Sequence, residues 1–477
     1  MTPSKLEIVS ADGAWVFLWL ALLAAARSAG AQAAEVSLPT DATLTQLIDQ
    51  SLSARPELAR AEAVVHAEEE RIPQAGALPD PMLQIGIQND GFTSIEIGRM
   101  DSSFLSFMGS QTFPWPGKLG LRTEAAELGA TQAKQGVSRV RLSTEADVRR
   151  AYLDLVLVRD RLGLLDQLEA IWQKSLGLAR VRYEAGDGAQ SDVLRAQLEL
   201  KRIQQRRVGL QAEERATVQG VNRLRAHPLD EAIATTMHIR ELPELTRFEG
   251  WFSADRAIER SPELAAARLG IMRADRSVAL AEKSYYPDLT VGAGIMVRGQ
   301  LPPMWLVTVG GPLPVFAGSK QSRAVAENRA WSSASQSEAV AIEQLLRLRS
   351  GERHTAFSAL LEIVDLYAQG LLIQSEATSE STLSQYKVGK VSFASVLEVN
   401  AGFIADQEGY LESVAAAYRI LIAETEVSLA TTPMAVGAAG GSGAMPGASS
   451  ASMESISGQP SRGNGEPVDG AGSTSGM

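Results

Sequence analysis

The chain contains two copies of one sequence unit, and this repetition limits its possible folds more than any other feature. Four short motifs of the first half return in the same order in the second half. The paired segments are 55–58 with 261–264 (RPEL, SPEL), 78–81 with 286–289 (LPDP, YPDL), 113–118 with 313–320 (FPWPGK, LPVFAGSK) and 183–186 with 386–389 (YEAG, YKVG). Because the four pairs keep their order and an almost constant separation, we infer a tandem duplication.

Each copy is predicted to start with a helix, around 55–76 and 261–284, and to continue into a pair of strands, within 82–112 and 289–312. In both strand regions apolar residues alternate with polar or small ones, as in MLQIGIQ of the first copy. This period of two predicts barrel strands that present one face to lipid and the other to a lumen.

The segments between the paired strands, 89–100 and 298–303, are rich in Gly, Pro and polar residues and are predicted loops. Trp115 and Trp305 lie beside predicted strand ends. They would belong to an aromatic girdle at the membrane interface or pack where barrel and helices join. After the N-terminal segment, no stretch is expected to span a membrane as a helix, so membrane insertion would use strands.

A long proline-free stretch follows each strand pair, at 116–228 and 314–433. A helix over 118–183 would be about 100 Å long at 1.5 Å per residue, so it must pack on other rods. Its apolar residues recur with a mean spacing of about 3.5, which is typical of a coiled coil. They are Val148, Tyr152, Leu155, Val158, Leu162, Leu165, Leu168, Trp172 and Leu176.

Glycine interrupts each long stretch once, at 186–188 and at Gly389. Glycine supplies the left-handed backbone of a tight turn between two helices, and the Asp and Ser residues that follow are candidate helix caps. Each copy is therefore predicted to contain a lead-in helix, a strand pair, a long helix, a sharp turn and a returning helix.

Composition excludes several functions. The net charge of -11, without a basic block, argues against nucleic-acid binding, and the absence of cysteine excludes disulfides and thiolate metal sites. Motifs of hydrolases, nucleotide-binding loops and zinc proteases are missing, so we expect no enzyme activity and no cofactor. The four histidines are too scattered to predict a metal site: His66, His227, His238 and His354.

The N-terminus resembles an export signal. An apolar run of about 13 residues at 14–26 precedes a small-x-small cleavage site at 31–33. Lys5 is offset by Glu7 and Asp12, so a misassigned start codon or a retained anchor is the alternative.

Residues 40–430 together resemble the TolC-type outer-membrane efflux factor family. The most specific motifs are the two turns, with Tyr183-x-x-Gly186 before Asp192-Val193-Leu194 and Tyr386-x-x-Gly389 before Val396-Leu397. Segments 79–81 and 113–118 resemble the heavy-metal branch of the family, which includes cobalt-zinc-cadmium and copper-silver efflux systems.

The resemblance implies a mainly α fold with a small β part. Three chains would each contribute four strands to a 12-stranded outer-membrane β-barrel, continued by a long periplasmic α-helical barrel. The implied location is the outer membrane of a Gram-negative bacterium, with helices extending into the periplasm. The implied partners are a homotrimer, a periplasmic adaptor (membrane fusion) protein, an inner-membrane resistance-nodulation-division pump and outer-membrane lipid.

The resemblance also implies a periplasmic gate near the turns. Three like carboxylates around a threefold axis would attract cations and resist simultaneous ionisation. Arg195 would pair with a neighbouring carboxylate and hold the gate closed. Alternatively, Asp192 caps a helix, Glu398 lies on a solvated face, and the tyrosines pack within the tips. The candidate gate residues are Asp192, Glu398, Arg195, Tyr183 and Tyr386, and the candidate adaptor-docking residues are Ala185, Gly186, Val388 and Gly389.

The expected domain plan divides the chain into five segments. They are a signal peptide (1–33), a first repeat (40–228), a linker (229–250), a second repeat (251–430) and a disordered Gly/Ser-rich tail (431–477).

The predicted function is the outer-membrane channel of a tripartite resistance-nodulation-division efflux system for heavy-metal cations. One alternative is a duct for drug efflux or type I protein secretion. An alternative of another class is a periplasmic coiled-coil scaffold without a pore.

Overall fold

The computed structural model describes residues 38–431, so the predicted signal peptide and the predicted tail beyond 431 lie outside the described residues. The first half contains α1 (Ala42–Ala54), α2 (Pro56–Gly76), β1 (Met82–Gln88), β2 (Phe104–Phe113), α3 (Lys118–Glu184) and α4 (Gln190–Leu224). The second half contains α5 (Ala254–Arg260), α6 (Pro262–Lys283), β3 (Leu289–Arg298), β4 (Leu301–Gly310), α7 (Gln321–Leu366), α8 (Leu372–Lys387) and α9 (Phe393–Thr425). The mainly helical fold class with a small sheet is confirmed, and both halves share one element order.

The four strands form one antiparallel sheet in the order β1-β2-β3-β4. β3 and β4 are joined by a two-residue turn at 299–300, in which Gly299 has a φ of 62°. The predicted loop at 298–303 was therefore too long, because Pro302 and Pro303 lie inside β4. Proline lacks the N–H donor, but an edge strand such as β4 tolerates it.

The sheet has one apolar and one largely polar face. Odd-numbered positions of all four strands carry exposed apolar side chains, namely Leu83, Ile85, Ile87, Phe107, Val291, Ile295, Val297, Trp305, Val307 and Val309. The even-numbered positions carry mostly Gln, Gly, Ser and Thr. Trp305 lies opposite Ile295 in the middle of β4, so its predicted place beside a strand end was wrong.

The longest helix, α3, has 67 residues and packs against α2, α4, α6 and α9. In the second half, α7 and α8 form one continuous helix through a π turn at Tyr367–Leu371. This helix, Gln321–Lys387, is long and apolar enough to cross a membrane by length and composition alone, and 22% of its most apolar window is buried. The expectation that no later stretch meets this criterion was therefore wrong.

The main hydrophobic core lies where the helices of both halves meet. It combines side chains of α1, α3, α7 and α9, among them Val148, Leu155 and Phe357. Two 3₁₀ turns in the predicted linker, Ile239–Glu241 and Leu245–Trp251, cover this core. Ile239 and Phe248 are almost fully buried there, so the linker is part of the packed structure.

The returning helices of both halves end in the same left-handed cap. Ala226 and Val427, which follow α4 and α9, both have a φ of 54°. In each cap the next residue donates its N–H to a carbonyl in the last helical turn, from His227 to Asn222 and from Ser428 to Ala423. A β-branched residue such as Val427 rarely adopts this conformation, so the surrounding contacts must hold it.

Buried charges anchor the end of α9. The carboxylate of Glu426 is 6% exposed and accepts hydrogen bonds from Arg139 and Arg150 of α3, the latter at 2.7 Å. Arg353 of α7 contacts Glu424 at 3.2 Å, and both side chains are buried. These pairs join the end of the second half to both long helices.

We predict that Glu426→Ala destabilises the protein by about 3 kcal/mol, because it removes the buried counter-charge of two arginines. Chemical denaturation in detergent, followed by tryptophan fluorescence, would measure the loss. The matched control is Glu343→Ala, which removes an exposed i,i+4 partner of Arg347 and should cost less than about 1 kcal/mol. Equal losses in the two variants would contradict this assignment.

Candidate functional site

The tips of the two helical hairpins are formed by tight turns at 185–189 and 388–392. Gly186 has a φ of 82° and Gly389 a φ of 72°, which is the left-handed conformation that glycine adopts most easily. Ser392 caps α9, because its hydroxyl accepts a hydrogen bond from the N–H of Ser395 at 3.4 Å. In the described part of the chain no side chain caps α4, so Asp192 does not serve as the alternative cap.

The side chain of Tyr386 lies at the centre of the contacts that hold the two hairpin tips together. Its side chain is 1% exposed, packs against Phe393, and donates its hydroxyl hydrogen to Asp192 at 3.1 Å. Burial and the neighbouring Asp192 carboxylate raise the pKa of Tyr386 to about 12. The phenol therefore remains a hydrogen-bond donor at neutral pH, and this bond joins the turn of the second half to the returning helix of the first.

Arg182 fixes Tyr386 from the other side. Its guanidinium lies 4.8 Å from the centre of the Tyr386 ring and donates to the Tyr386 carbonyl at 2.7 Å and to the Asp187 carbonyl at 3.0 Å. One side chain thus contacts both turns. A Cβ atom on Gly389 would lie 3.1 Å from this guanidinium, so a larger residue there would displace Arg182 slightly as well as strain the backbone.

The remaining predicted gate residues do not join this cluster. Tyr183, the counterpart of Tyr386 in the first copy, is half-exposed, and Arg195 and Glu398 lie on exposed helix surfaces. Arg195 forms no ion pair with any residue between 38 and 431, so the predicted pairing with a carboxylate is absent from the single chain. Asp192 and Tyr386 are therefore the two predicted gate residues that the fold brings together.

The four predicted docking residues lie at the outer end of the hairpins. Ala185, Gly186, Val388 and Gly389 are all exposed, and Val388 exposes 67% of its surface. An apolar side chain at the end of a helical hairpin is available to a partner, because no residue described in this chain covers it.

Sequence reasoning missed Arg182. One feature of the sequence could have identified it. The residue before the tyrosine of the turn motif differs between the copies, because it is Arg182 in the first and Gln385 in the second. A difference at equivalent positions of a duplication marks a place where the two copies have different contacts.

A second group of contacts joins the sheet to the helices. Lys118, the first residue of α3, donates to the Asp288 carboxylate at 2.7 Å and to the Tyr286 carbonyl at 2.9 Å. The backbone N–H of Trp115 donates to Asp288 at 2.8 Å, and the indole stacks on the Tyr286 ring at 5.0 Å. Trp115 thus packs at the junction of strands and helices, which was the alternative to a girdle position.

Among residues 38–431, no three His, Asp or Glu side chains are grouped so as to hold a metal ion. His238 instead contacts Asp160 at 2.6 Å, and this carboxylate raises the pKa of the imidazole. His227 contacts Glu231 at 2.9 Å.

We predict that Arg182→Ala loosens the tip and increases ion conductance, because it removes the side chain that contacts both turns. Recordings from planar lipid bilayers, with wild type measured in parallel, would test this. Arg180→Ala is the matched control, since it removes the same charge from an exposed position two residues away and should leave conductance unchanged. A similar rise in both variants would indicate a general charge effect.

The comparisons with known proteins agree with this geometry. Residues 47–226 match the family model described as outer membrane efflux protein. No curated protein sequence matches the chain at a significant level.

Solved structures of outer-membrane channels share the fold. VceC from Vibrio cholerae has a TM-score of 0.68 at 18% identity, over 81% of this chain and 96% of its own. CusC, described for conformational changes accompanying transmembrane channel formation, has a TM-score of 0.68 at 14% identity, over 84% and 94%.

The MtrE outer membrane channel from Neisseria gonorrhoeae has a TM-score of 0.67 at 14% identity, over 81% of this chain and 88% of its own. VceC is described as an outer membrane protein, CusC as forming a transmembrane channel and MtrE as an outer membrane channel, in agreement with the predicted localisation. Residues 47–226 therefore match the outer membrane efflux protein family, and the described chain has the fold of an outer-membrane channel subunit.

Proposed function

We propose that this protein is the outer-membrane channel of a tripartite resistance-nodulation-division efflux system and works as a homotrimer. The observation that carries the proposal is a four-stranded sheet with one apolar and one polar face, joined directly to helices that are about 100 Å long. The apolar face of the sheet is suited to contact with lipid, and the helices are long enough to form a conduit in the periplasm.

The trimer follows from the edges of the sheet. Within the described residues, the outer edges of β1 and β4 have no strand partner. A bilayer core contains no water to satisfy these backbone groups, so a spanning sheet must close into a barrel. Three copies supply twelve strands, with the odd-numbered apolar side chains toward lipid and the polar face toward the lumen.

The helices also carry surface that further copies would cover. Large apolar side chains are exposed on α7, on the π turn and at the start of α8. They are Trp331, Val340, Leu348, Leu366, Leu371 and Ile373, each of which exposes 44% or more of its surface. Large apolar side chains that are exposed at several points of a long helix indicate packing against neighbouring helices.

The hairpin tips would bind the adaptor. In this proposal Val388, Ala185 and the two turn glycines form the contact surface, and the gate lies beside them at Asp192, Tyr386, Tyr183, Arg195 and Glu398. Asp192 already holds Tyr386 within one chain. Three copies would place three Asp192 carboxylates and three Glu398 carboxylates around the axis, which favours cations.

The proposed cargo is heavy-metal cations. Its support is the resemblance of segments 79–81 and 113–118 to the metal-efflux branch, together with the acidic residues of the tips. The residues of segment 113–118 contact Asp288 just before β3, so their observed contacts are structural. Cargo selection would then reside mainly in the pump.

We expect Asp192→Ala with Glu398→Ala to reduce the cation selectivity of the reconstituted pore, because six carboxylates leave the threefold axis. Reversal potentials in a salt gradient would measure selectivity, with Glu184→Ala, an exposed carboxylate at the end of α3, as the control. Unchanged selectivity would remove both residues from the gate. A purified protein without any conductance would instead favour the periplasmic scaffold.

Deletion of the gene is expected to increase sensitivity to copper, zinc or cobalt, which growth in graded metal concentrations would measure. Complementation with the wild-type gene is the control. Unchanged metal tolerance with increased drug sensitivity, or with loss of a secreted polypeptide, would assign the same duct to drug efflux or type I secretion.

A further inference from the structure

We propose that subunits of this channel are joined by an ion pair between Lys320 of one copy and Asp80 of the partner subunit, with apolar packing around it. The inference rests on the trimer proposed above and identifies the contact surface between its subunits. It follows from the duplication, because the same contact already exists inside one chain between the two copies of the repeat.

The contact inside the chain is the junction described above. Lys118 is 8% exposed and holds Asp288, while Trp115 stacks on Tyr286. The lysine belongs to the first copy and the aspartate to the second. The motif at the end of β2 therefore packs on the motif that precedes β3.

The counterparts of these motifs have no such contact. Lys320 and Asp80 are both exposed, and neither forms an ion pair with any residue of the described chain. Around them, three apolar side chains after β4 expose about three quarters of their surface, and Leu78 exposes half. These three side chains are Leu313, Val315 and Phe316.

The two lysines occupy the same place in the fold. Lys118 is the first residue of α3, and Lys320 immediately precedes α7. Asp80 and Asp288 stand two residues and one residue before β1 and β3, within the matching motifs LPDP and YPDL. Each copy thus has a lysine at the start of its long helix and an aspartate just before its first strand.

The strand pairing inside the chain also predicts how β4 pairs with β1 of the partner subunit. Met82 pairs with Ser110 as Thr290 pairs with Gly310, so β1 corresponds to β3 and β2 to β4. The observed pair of Gly109 with Ala293 then maps onto Val309 with Ile85 of the partner subunit.

In the same way, the pair of Phe107 with Ile295 maps onto Val307 with Ile87 of the partner subunit. All four mapped residues lie on the apolar face of the sheet. A shift of one residue would place apolar side chains opposite polar ones, so only shifts by an even number of residues keep the lipid face continuous, and the duplication selects this register among them.

Cysteine cross-linking tests the register, and the natural chain contains no cysteine. Directly opposed residues on antiparallel strands have Cα atoms about 4.5–5.5 Å apart, which suits a disulfide. The variant with Ile85→Cys and Val309→Cys should form covalent dimers and trimers in outer-membrane vesicles under mild oxidation. The control with Ile85→Cys and Thr308→Cys should not, because the two side chains then point to opposite faces.

Charge exchange tests the ion pair. Asp80→Lys and Lys320→Asp should each lower the temperature at which trimers dissociate by several degrees, and the double variant should recover most of this loss. Lys390→Asp, a charge reversal at the exposed hairpin tip, should leave the dissociation temperature unchanged. Recovery in the double variant is the result that a purely local effect of either residue would not produce.

The outcomes separate this inference from the proposed function. Conducting trimers that give no cross-link at 85 and 309, or that cross-link at 85 and 308 instead, would overturn the inference and leave the channel intact. Conducting trimers without recovery in the double charge variant would also overturn it. A monomer without conductance would overturn both the inference and the proposed function.

Discussion

The unpaired backbone groups on β1 and β4 are the constraint on which the rest of the structure depends. Four strands make a sheet too narrow to close on itself, and each unsatisfied backbone group in a bilayer costs several kcal/mol. In the proposed trimer, closure by identical copies satisfies these groups, and it brings the helices that follow each strand pair into a ring. Neighbouring copies would also cover apolar side chains that are exposed along α7, such as Trp331 and Leu348.

Because the chain is duplicated, one kind of contact can form both inside a chain and between subunits. In the proposed trimer, the contacts that the first copy makes with the second inside a chain recur between the second copy and the first copy of the partner subunit. At the junction, Lys118 and Asp288 are satisfied internally, whereas their counterparts are exposed. At the tips the copies have diverged, since Tyr386 is enclosed by Arg182 and Asp192 while Tyr183 remains half-exposed. The duplicated halves therefore have a common fold but different contacts at their tips.

Much of this fold was predictable, because periodicity and glycine report local structure directly. The alternation in MLQIGIQ predicted β1, and the spacing from Val148 to Leu176 predicted one long helix, which extends from Lys118 to Glu184. Errors arose where local chemistry was ambiguous. Two prolines suggested a loop in what is an edge strand. The packing of the linker could not be predicted, because Ile239 and Phe248 are buried by residues far away in sequence.

The candidate site was less predictable for a related reason. Turn motifs locate the tips, but the partner of Asp192 depends on how two distant hairpins pack. The role of Arg182 likewise arises from a residue 204 positions away. No periodic pattern encodes such a contact, and only the difference between Arg182 and Gln385 at equivalent positions marks it.

The π turn at Tyr367–Leu371 adds one residue to a helix that is otherwise regular. Each residue of an α-helix turns the chain by roughly 100°, so everything from Leu372 to Lys387 is rotated by that angle relative to an uninterrupted rod. Tyr386 contacts Asp192 in this rotated phase. Removing one residue from the turn would swing the phenol to another side of the hairpin, so a feature about 20 residues from the tip determines which way the tip faces.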